Sequence, residues 1–258
     1  MLEPIRTLGR YSLATLQGIG KITIFTATGL KSCFVPPFYW REIWRQVVEI
    51  GFYCLPIVGL TAIFAGAVLA LQTYIGCERW NAESAVASVV AVGLTRELGP
   101  VFAGLMVAGR MSSSIAAEIG SMRVSEQIDA LKILRVDPYK FLVAPRVIAG
   151  TVTLPFLALI ADIVGIMGGF LVAALVLNFP SGSYIEQTLN ALEMIDIISG
   201  LAQATAFGFV LTMFGCYHGY NSDLGARGVG EATTSAVVSS SIMILVLTYM
   251  LTALFFGI

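Results

Sequence analysis

Residues 85–109 read AVASVVAVGLTRELGPVFAGLMVAG, a stretch long enough to cross a membrane, with a charged pair at its centre. Crossing the hydrocarbon core of a bilayer as a helix takes about 20 mostly apolar residues. Four further stretches meet or approach that length, at residues 52–76, 147–177, 197–217 and 236–258. The sequence therefore predicts an all-α polytopic membrane protein with five transmembrane helices.

The composition agrees with a chain that lies mostly in lipid. Hydrophobic residues make up 57% of it and charged residues 12%, which is far from the balance of a soluble domain. We therefore treat residues 1–258 as a single membrane domain with an N-terminal part at 1–45 and a five-span bundle at 46–258. A charged insertion at 110–146 interrupts the bundle. The net charge of −1 gives no sign of nucleic-acid binding.

The positions of the cations predict the orientation of the chain. Of the 15 Lys and Arg residues, most precede residue 46 or lie within 110–146. Because cytoplasmic loops are rich in Lys and Arg, we expect the N-terminus, this insertion and the loop at 218–235 to be cytoplasmic. Five spans then place the C-terminus on the opposite side. We expect no cleaved signal peptide at the N-terminus, so the first span would serve as the targeting signal.

Residues 13–34 are apolar but contain Gln17, Lys21 and several threonines. Two interpretations stay open, a helix lying on the inner leaflet or a sixth span. The polar residues favour the interfacial helix.

Arg96 and Glu97 lie at the centre of the stretch 85–109, and Asp162 lies at the centre of 147–177. A charged residue in the middle of a transmembrane helix costs about 2.5–3.5 kcal/mol on insertion scales, so these side chains should face an interface or a polar cavity. Such residues are candidates for function. The alternative is structural, a buried ion pair between Arg96 and Asp162.

Small residues and prolines recur within the predicted spans. Small side chains let membrane helices approach closely, and they are spaced four apart in three spans. A proline inside a helix should loosen it about one turn earlier. The small-residue stripes are Gly200, Ala204, Gly208 and Thr212, then Ala62, Gly66 and Ala70, then Gly165 and Gly169; the prolines are Pro56, Pro100 and Pro155.

Between Glu118 and Arg135 the apolar residues recur at steps of three and four, which predicts an amphipathic helix too polar to span. Asp137 and Pro138 follow and can cap the start of another helix. The amphipathic helix could lie passively on the membrane surface or dock in a groove of a soluble partner.

Several kinds of catalytic site are missing from the sequence. No GxxxxGK[ST] phosphate loop occurs, the one histidine is His218, and the four cysteines form no CxxC pair. We therefore expect no catalytic residue, no metal site and no cofactor bound by this chain.

Separated motifs of this sequence, in this order, resemble the MlaE family of permease subunits from lipid-transporting ABC systems. The resemblance covers nearly the whole chain after about residue 40. The motifs are RELGP (96–100), AGR (108–110), AAEIGSMRVSEQIDAL (116–131), VDP (136–138), APR (144–146) and GVGEATTSAVVSS (228–240).

The resemblance implies a homodimer in the bacterial inner membrane that moves phospholipids between the inner and outer membranes and so maintains outer-membrane lipid asymmetry. A separate ATPase subunit would bind ATP and Mg²⁺, and a periplasmic MCE-domain protein would carry the lipid. The amphipathic helix becomes a coupling helix with Glu126, Gln127, Asp129 and Leu131 at the ATPase. The lipid-binding candidates become Arg96, Glu97, Leu98, Leu71, Gln72 and Tyr74.

The chain departs from the family pattern at Thr248, where many relatives have an acid, and at Glu231, where many have a base. Arg227, four residues before Glu231, could form the same pair with the signs exchanged. Two other functions stay open. An ion-gradient-driven secondary transporter would use Arg96, Glu97 and Asp162 as coupling groups, and a membrane scaffold would not transport at all.

Overall fold

A computed structural model describes residues 3–78 and 85–257, with side chains described from Leu16 onward. All regular secondary structure in these ranges is helical. The helices, numbered in chain order, are α1 (Glu3–Phe34), α2 (Trp40–Glu78), α3 (Val86–Val124), α4 (Gln127–Ile133), α5 (Tyr139–Leu175), α6 (Ser181–Ala191), α7 (Met194–Tyr220) and α8 (Ala226–Phe256).

Five of these helices are long and apolar enough to cross a membrane, namely α2, α3, α5, α7 and α8. The predicted all-α polytopic fold with five spans is therefore confirmed. The helices are longer than the apolar stretches because charged residues at their ends remain helical. The largest difference is in α3, which continues 15 residues beyond the predicted end at residue 109.

The bundle is built around α5, which packs along α2 on one side and α7 on the other, while α8 packs on α7. The largest apolar core joins Ile50 of α2, Val107 of α3, Leu154 of α5 and Phe207 of α7. Ile244 from α8 completes it. Of the five long helices α8 is the least buried, so much of its surface faces outward.

The predicted small-residue stripes lie where helices touch. A Cβ atom on Gly66 would overlap the carbonyl of Gly165, and one on Gly208 would overlap the carbonyl of Gly150. These two contacts fix α5 against α2 and α7 at backbone-to-backbone distance, as expected for packing in lipid. Gly200 likewise rests on the carbonyl of Thr95 in α3.

Helix α1 packs at the end of the bundle that carries α4, which we call the α4 end. Phe25 is buried among the rings of Tyr139, Tyr217 and Tyr220, at centroid distances of 5.3, 5.4 and 5.9 Å. These tyrosines belong to the first turn of α5 and the last turns of α7. Contact with helix ends favours the interfacial interpretation of residues 13–34 over a sixth span.

The single amphipathic helix predicted for 118–135 is wrong. Residues 118–124 belong to α3, and the chain then turns at Ser125 and Glu126 before the short helix α4. Glu126 adopts a left-handed conformation with φ 57°, which ends one helix before the next begins. The apolar periodicity was misleading because the apolar sides of both helices face the same bundle.

The predicted cap that precedes α5 is confirmed. The carboxylate of Asp137 accepts a hydrogen bond from the backbone N–H of Tyr139 at 2.9 Å. The chain therefore re-enters the bundle through a capped helix start, held to α4 by the short segment 134–138.

Candidate functional site

A π turn at Leu94–Leu98 positions Arg96 and Glu97. Pro100 has no N–H, so the carbonyl of Arg96 loses its intrahelical donor and the helix widens one turn before the proline, as predicted. The side chain of Gln203, fully buried in α7, supplies the missing donor: its Nε2 donates to the Arg96 carbonyl at 3.2 Å. This contact anchors the π turn to α7.

Arg96 pairs with Asp196, a residue that the sequence analysis did not single out. The Nε of Arg96 donates to Oδ1 of Asp196 at 2.5 Å, and the Asp196 side chain is completely buried. The other carboxylate oxygen of Asp196 accepts from the backbone N–H of Glu193 at 3.1 Å, which caps the start of α7. The alternative of a buried pair between Arg96 and Asp162 is therefore wrong.

Arg96 and Glu97 lie away from the middle of the helical bundle, contrary to the sequence-based expectation. Asp196 is in the first turn of α7, and the Arg96 guanidinium lies 4.3 Å from the ring centroid of Phe256, the last residue of α8. Both charges are thus near the end of the bundle opposite α4. The reason is the length of α3: its middle falls near Gly104, which packs on Phe207 in the middle of α7.

Asp162 sits against Gly99 with one carboxylate oxygen unsatisfied. A Cβ on Gly99 would overlap Oδ1 of Asp162, so only glycine leaves room for this carboxylate. Within the part of the chain that the structure describes, that buried oxygen has no hydrogen-bond partner. Asp162 is thus separate from the Arg96 pair, and it leaves a buried carboxylate oxygen unsatisfied in the bundle interior.

Glu97 lies at an outward-facing groove between α3 and α8. The groove has a volume of about 390 Å³, and the Glu97 side chain is exposed. Apolar side chains form most of the wall, and Thr248 and Thr252 add hydroxyl groups. The lining residues are Glu97, Leu98, Val101, Leu245, Thr248, Tyr249, Thr252 and Ala253.

The other predicted lipid-binding residues occupy two environments. Leu98 and Tyr74 both pack against one buried cluster that contains Leu94, so the structure brings them together. Leu71 and Gln72 are exposed on α2 and do not line the groove of Glu97. The six predicted residues therefore cluster near one end of the bundle without forming one wall within a single chain.

Arg110 is exposed on the outer surface of α3, in a second π turn at Ala108–Ser112. Its guanidinium lies 5.6 Å from the ring centroid of Tyr53 in α2. Tyr53 begins an exposed apolar face of α2 that continues at steps of three and four through Ile57, Leu60 and Phe64 to Leu71. The sequence analysis assigned Arg110 to the cytoplasmic insertion because it was the first charge after an apolar stretch.

A charge network at the α4 end ties three spans together. Glu118 of α3 accepts from the buried Arg146 of α5 at 2.7 Å and lies 3.6 Å from Arg45 of α2. Arg45 also pairs with Glu42 at 3.0 Å. These ion pairs connect the end of α3 to both α2 and α5. Sequence reasoning missed this network because its members are far apart in the chain.

The predicted ATPase-contact residues are divided between the two sides of α4. Glu126, Gln127 and Asp129 are exposed, whereas Leu131 is half-buried against the bundle. The large apolar residues that α4 and its following turn expose are Ile133 and Leu134, at 82% and 72%. These two side chains, rather than Leu131, are available to a partner.

Lys132 forms an ion pair with Asp129 at 2.7 Å on the surface of α4. This neighbour lowers the pKa of the Asp129 carboxyl below its ordinary value, and Asp129 in turn raises the pKa of Lys132. At the start of α8, Arg227 pairs with Glu231 at 2.9 Å, which confirms the pair suggested from their spacing.

Comparison with known proteins places this chain in a family. The family model described as Permease MlaE matches residues 43–254. A probable ABC transporter permease protein of Rickettsia bellii is 53% identical over 99% of both chains. The intermembrane phospholipid transport system permease protein MlaE of Haemophilus influenzae is 36% identical over 83% of this chain and 82% of its own length.

A plant relative extends the comparison. Protein TRIGALACTOSYLDIACYLGLYCEROL 1, chloroplastic, of Arabidopsis thaliana is 36% identical over 84% of this chain and 62% of its own length. The family model covers nearly all of the five long helices and includes the groove of Glu97. The chain is a multi-pass membrane protein that belongs to the MlaE family of ABC transporter permeases.

Proposed function

We propose that this chain is the permease subunit of an ABC transporter that moves phospholipids between the inner and outer membranes of a bacterium. The observation that carries the proposal is an exposed carboxylate, Glu97, at the wall of a groove in a membrane-spanning helix. Ionisable residues in such positions are expensive and are usually retained for function. Transport of phospholipids in either direction between the two membranes would help to maintain the lipid asymmetry of the outer membrane.

The groove of Glu97 is open on one side, so we infer that a second copy of the chain closes it. In a homodimer two such grooves would face each other and form one chamber with apolar walls and two carboxylates. The exposed apolar faces of α2 and α8 provide the surfaces that would meet or hold lipid tails. Leu71 and Gln72 of one copy could then approach the groove of the other.

Arg96 has a structural part in this chamber. Its guanidinium already has a carboxylate partner in Asp196, so it fixes the π turn and thereby the position of Glu97. Leu98 and Tyr74 support the same turn through their shared apolar cluster.

A separate ATPase would supply the energy by binding ATP and Mg²⁺ and by moving α4. This helix is attached on both sides to spans, and the charge network at Glu118 lies just before it. We place Glu126, Gln127, Asp129, Ile133 and Leu134 at the ATPase contact. The α4 end would face the cytoplasm, the C-terminus the periplasm, and an MCE-domain carrier would receive or deliver lipid there.

The test is ATP-driven transfer of a fluorescent phospholipid in proteoliposomes that contain the complex of this chain with its ATPase and carrier. Glu97→Gln should reduce transfer at least tenfold and leave ATPase binding unchanged. Glu231→Gln, at an exposed pair far from the groove, is the matched control and should transfer normally. Loss of assembly in Glu97→Gln would show that this carboxylate is structural and would refute the proposal.

The orphaned carboxylate of Asp162 favours a second candidate, an ion-gradient-driven transporter. A protonatable group without a partner inside the membrane is what proton coupling requires. That mechanism needs no ATPase. Transfer by the chain alone under an imposed proton gradient, abolished by Asp162→Asn, would establish it in place of the ATP-driven mechanism.

A further inference from the structure

Arg110 is the charged side chain most deeply placed on the α4 side of α3. It is six residues from Gly104, which packs at the middle of the bundle, and a helix rises 1.5 Å per residue, so its Cα is about 9 Å from mid-depth. The hydrocarbon core extends about 15 Å from mid-depth. Glu118, in the charge network, lies about 12 Å further out by the same count. Arg110 therefore belongs to the hydrocarbon region of one leaflet.

The side chain of Arg110 is exposed, and it forms no ion pair with a carboxylate within the described residues. Its guanidinium lies against the ring of Tyr53. A cation–π contact with one ring offsets only part of the cost of placing an arginine in the hydrocarbon region. An anion from outside the chain would close this difference.

Glu49 is the candidate for a second headgroup contact, because it lines the same surface depression as Tyr53. It is half-buried, one helical turn before Tyr53 on α2, and it forms no ion pair within the described residues. Glu49 and Tyr53 line the same surface depression of α2, so Glu49 lies beside the ring that Arg110 contacts. Arg110 and Glu49 form no ion pair with each other within the described residues.

Charged side chains of α2 connect the surroundings of Arg110 and Glu49 to the membrane surface. Four polar side chains recur at four-residue steps along α2, over about 18 Å of helix. They are Arg41, Arg45, Glu49 and Tyr53. Arg45 is held by Glu42 and Glu118, whereas Arg41 is exposed without an ion-pair partner in the described ranges. A headgroup could therefore move from the surface to Arg110 without losing polar contacts.

We infer that Arg110 and Glu49 form a binding site for the headgroup of a zwitterionic aminophospholipid in the leaflet at the α4 end. Arg110 binds the phosphate through its guanidinium, which suits phosphate oxygens in geometry and charge. Glu49 binds the primary ammonium group. The acyl chains lie along the exposed face of α2 that begins at Ile57. The inference rests on the proposed function and adds a site at the opposite depth from Glu97.

The experiment is native mass spectrometry of the purified dimer after exchange with vesicles of phosphatidylethanolamine, phosphatidylglycerol or an equal mixture. Arg110→Gln should lower retention of both lipids about tenfold, because both carry the phosphate. Glu49→Gln should lower retention of phosphatidylethanolamine about tenfold and leave phosphatidylglycerol unchanged, because only the former carries an ammonium group. Arg227→Gln, on the exposed pair of α8, should retain both lipids normally.

Three results would overturn the inference. The first is unchanged lipid retention in both Arg110→Gln and Glu49→Gln. The second is conversion of the dimer to monomers by Arg110→Gln, which would assign this cation to an interface between copies. Glu49→Gln could also lower retention of both lipids equally, which would remove the assigned ammonium contact. If wild type retains phosphatidylethanolamine in preference to phosphatidylglycerol but shows no ATP-driven transfer, the proposed function fails while this site stands.

Discussion

The ion pair between Arg96 and Asp196 allows a quantitative test of how the groove is held in place. Asp196→Asn keeps the shape of the side chain and its capping contact with the Glu193 N–H but removes the charge that faces Arg96. Breaking one side of a fully buried ion pair costs about 3–5 kcal/mol. Arg96 is 36% exposed, so solvent screens part of that cost. A hydrogen bond to a charged group contributes about 1.5–3 kcal/mol, and we expect a pair energy of about 2 kcal/mol.

The measurement is a double-mutant cycle of the free energy of unfolding in mixed micelles titrated with a denaturing detergent. The four proteins are wild type, Arg96→Gln, Asp196→Asn and the double variant. The exposed pair of Arg227 and Glu231, at the same formal charge and a distance of 2.9 Å, gives the matched control cycle. Exposed helical pairs four residues apart contribute about 0.3–0.5 kcal/mol.

A coupling energy between Arg96 and Asp196 no larger than that of the surface pair would refute the reasoning. It would mean that water or lipid compensates the charge of Arg96 and that Asp196 is buried without a contribution from Arg96. In that case Arg96 would again be available to bind a lipid phosphate, as the sequence first suggested.

Three further changes follow from single contacts. Gln203→Leu removes the donor to the carbonyl that the proline leaves free, so the free energy of unfolding in the same micelles should fall by about 1–3 kcal/mol. Gly208→Val should prevent close packing of α7 on α5 and abolish a monodisperse peak in size-exclusion chromatography, whereas Gly59→Val, with open space around it, should not. The lowered pKa of Asp129 means that its pair with Lys132 stabilises α4 above the ordinary carboxyl pKa and is lost as the pH falls through the lowered value. The hydrogen-exchange protection factors of α4 should therefore change little from pH 7 to pH 4.5, and Lys132→Gln should shift the loss of protection to higher pH.

The features that the sequence predicted correctly depend on neighbours in the chain. Apolar length alone identified five spans, and four-residue spacing of small side chains identified the contacts at Gly66 and Gly208. The loosening before Pro100 follows from its missing N–H. Each of these needs only the covalent structure and the surrounding lipid, so no tertiary information is required.

The partners of the charged residues could not be predicted in the same way. Asp196 lies just before the predicted span 197–217, and nothing in its local sequence shows that it would be buried against Arg96, 100 positions earlier. The depth of Arg96 was wrong for a related reason: the span was ended at Arg110, the first charge after the apolar run. The helix continues past Arg110, which moves its middle by about two turns.

The two π turns of α3 explain why periodicity could not identify its functional face. In an uninterrupted α-helix, Glu97 and Arg110 are 13 residues apart and would point about 140° from each other. Each π turn inserts a residue and rotates the side chains that follow it around the helix axis by up to about 100°. Both charged side chains lie inside such turns, and both are exposed. The stripes that were correct lie in stretches of regular α-helix in α2, α5 and α7. The chemistry of α3 therefore depends on how its π turns are held, and the hydrogen bond from Gln203 is the contact that holds the first of them.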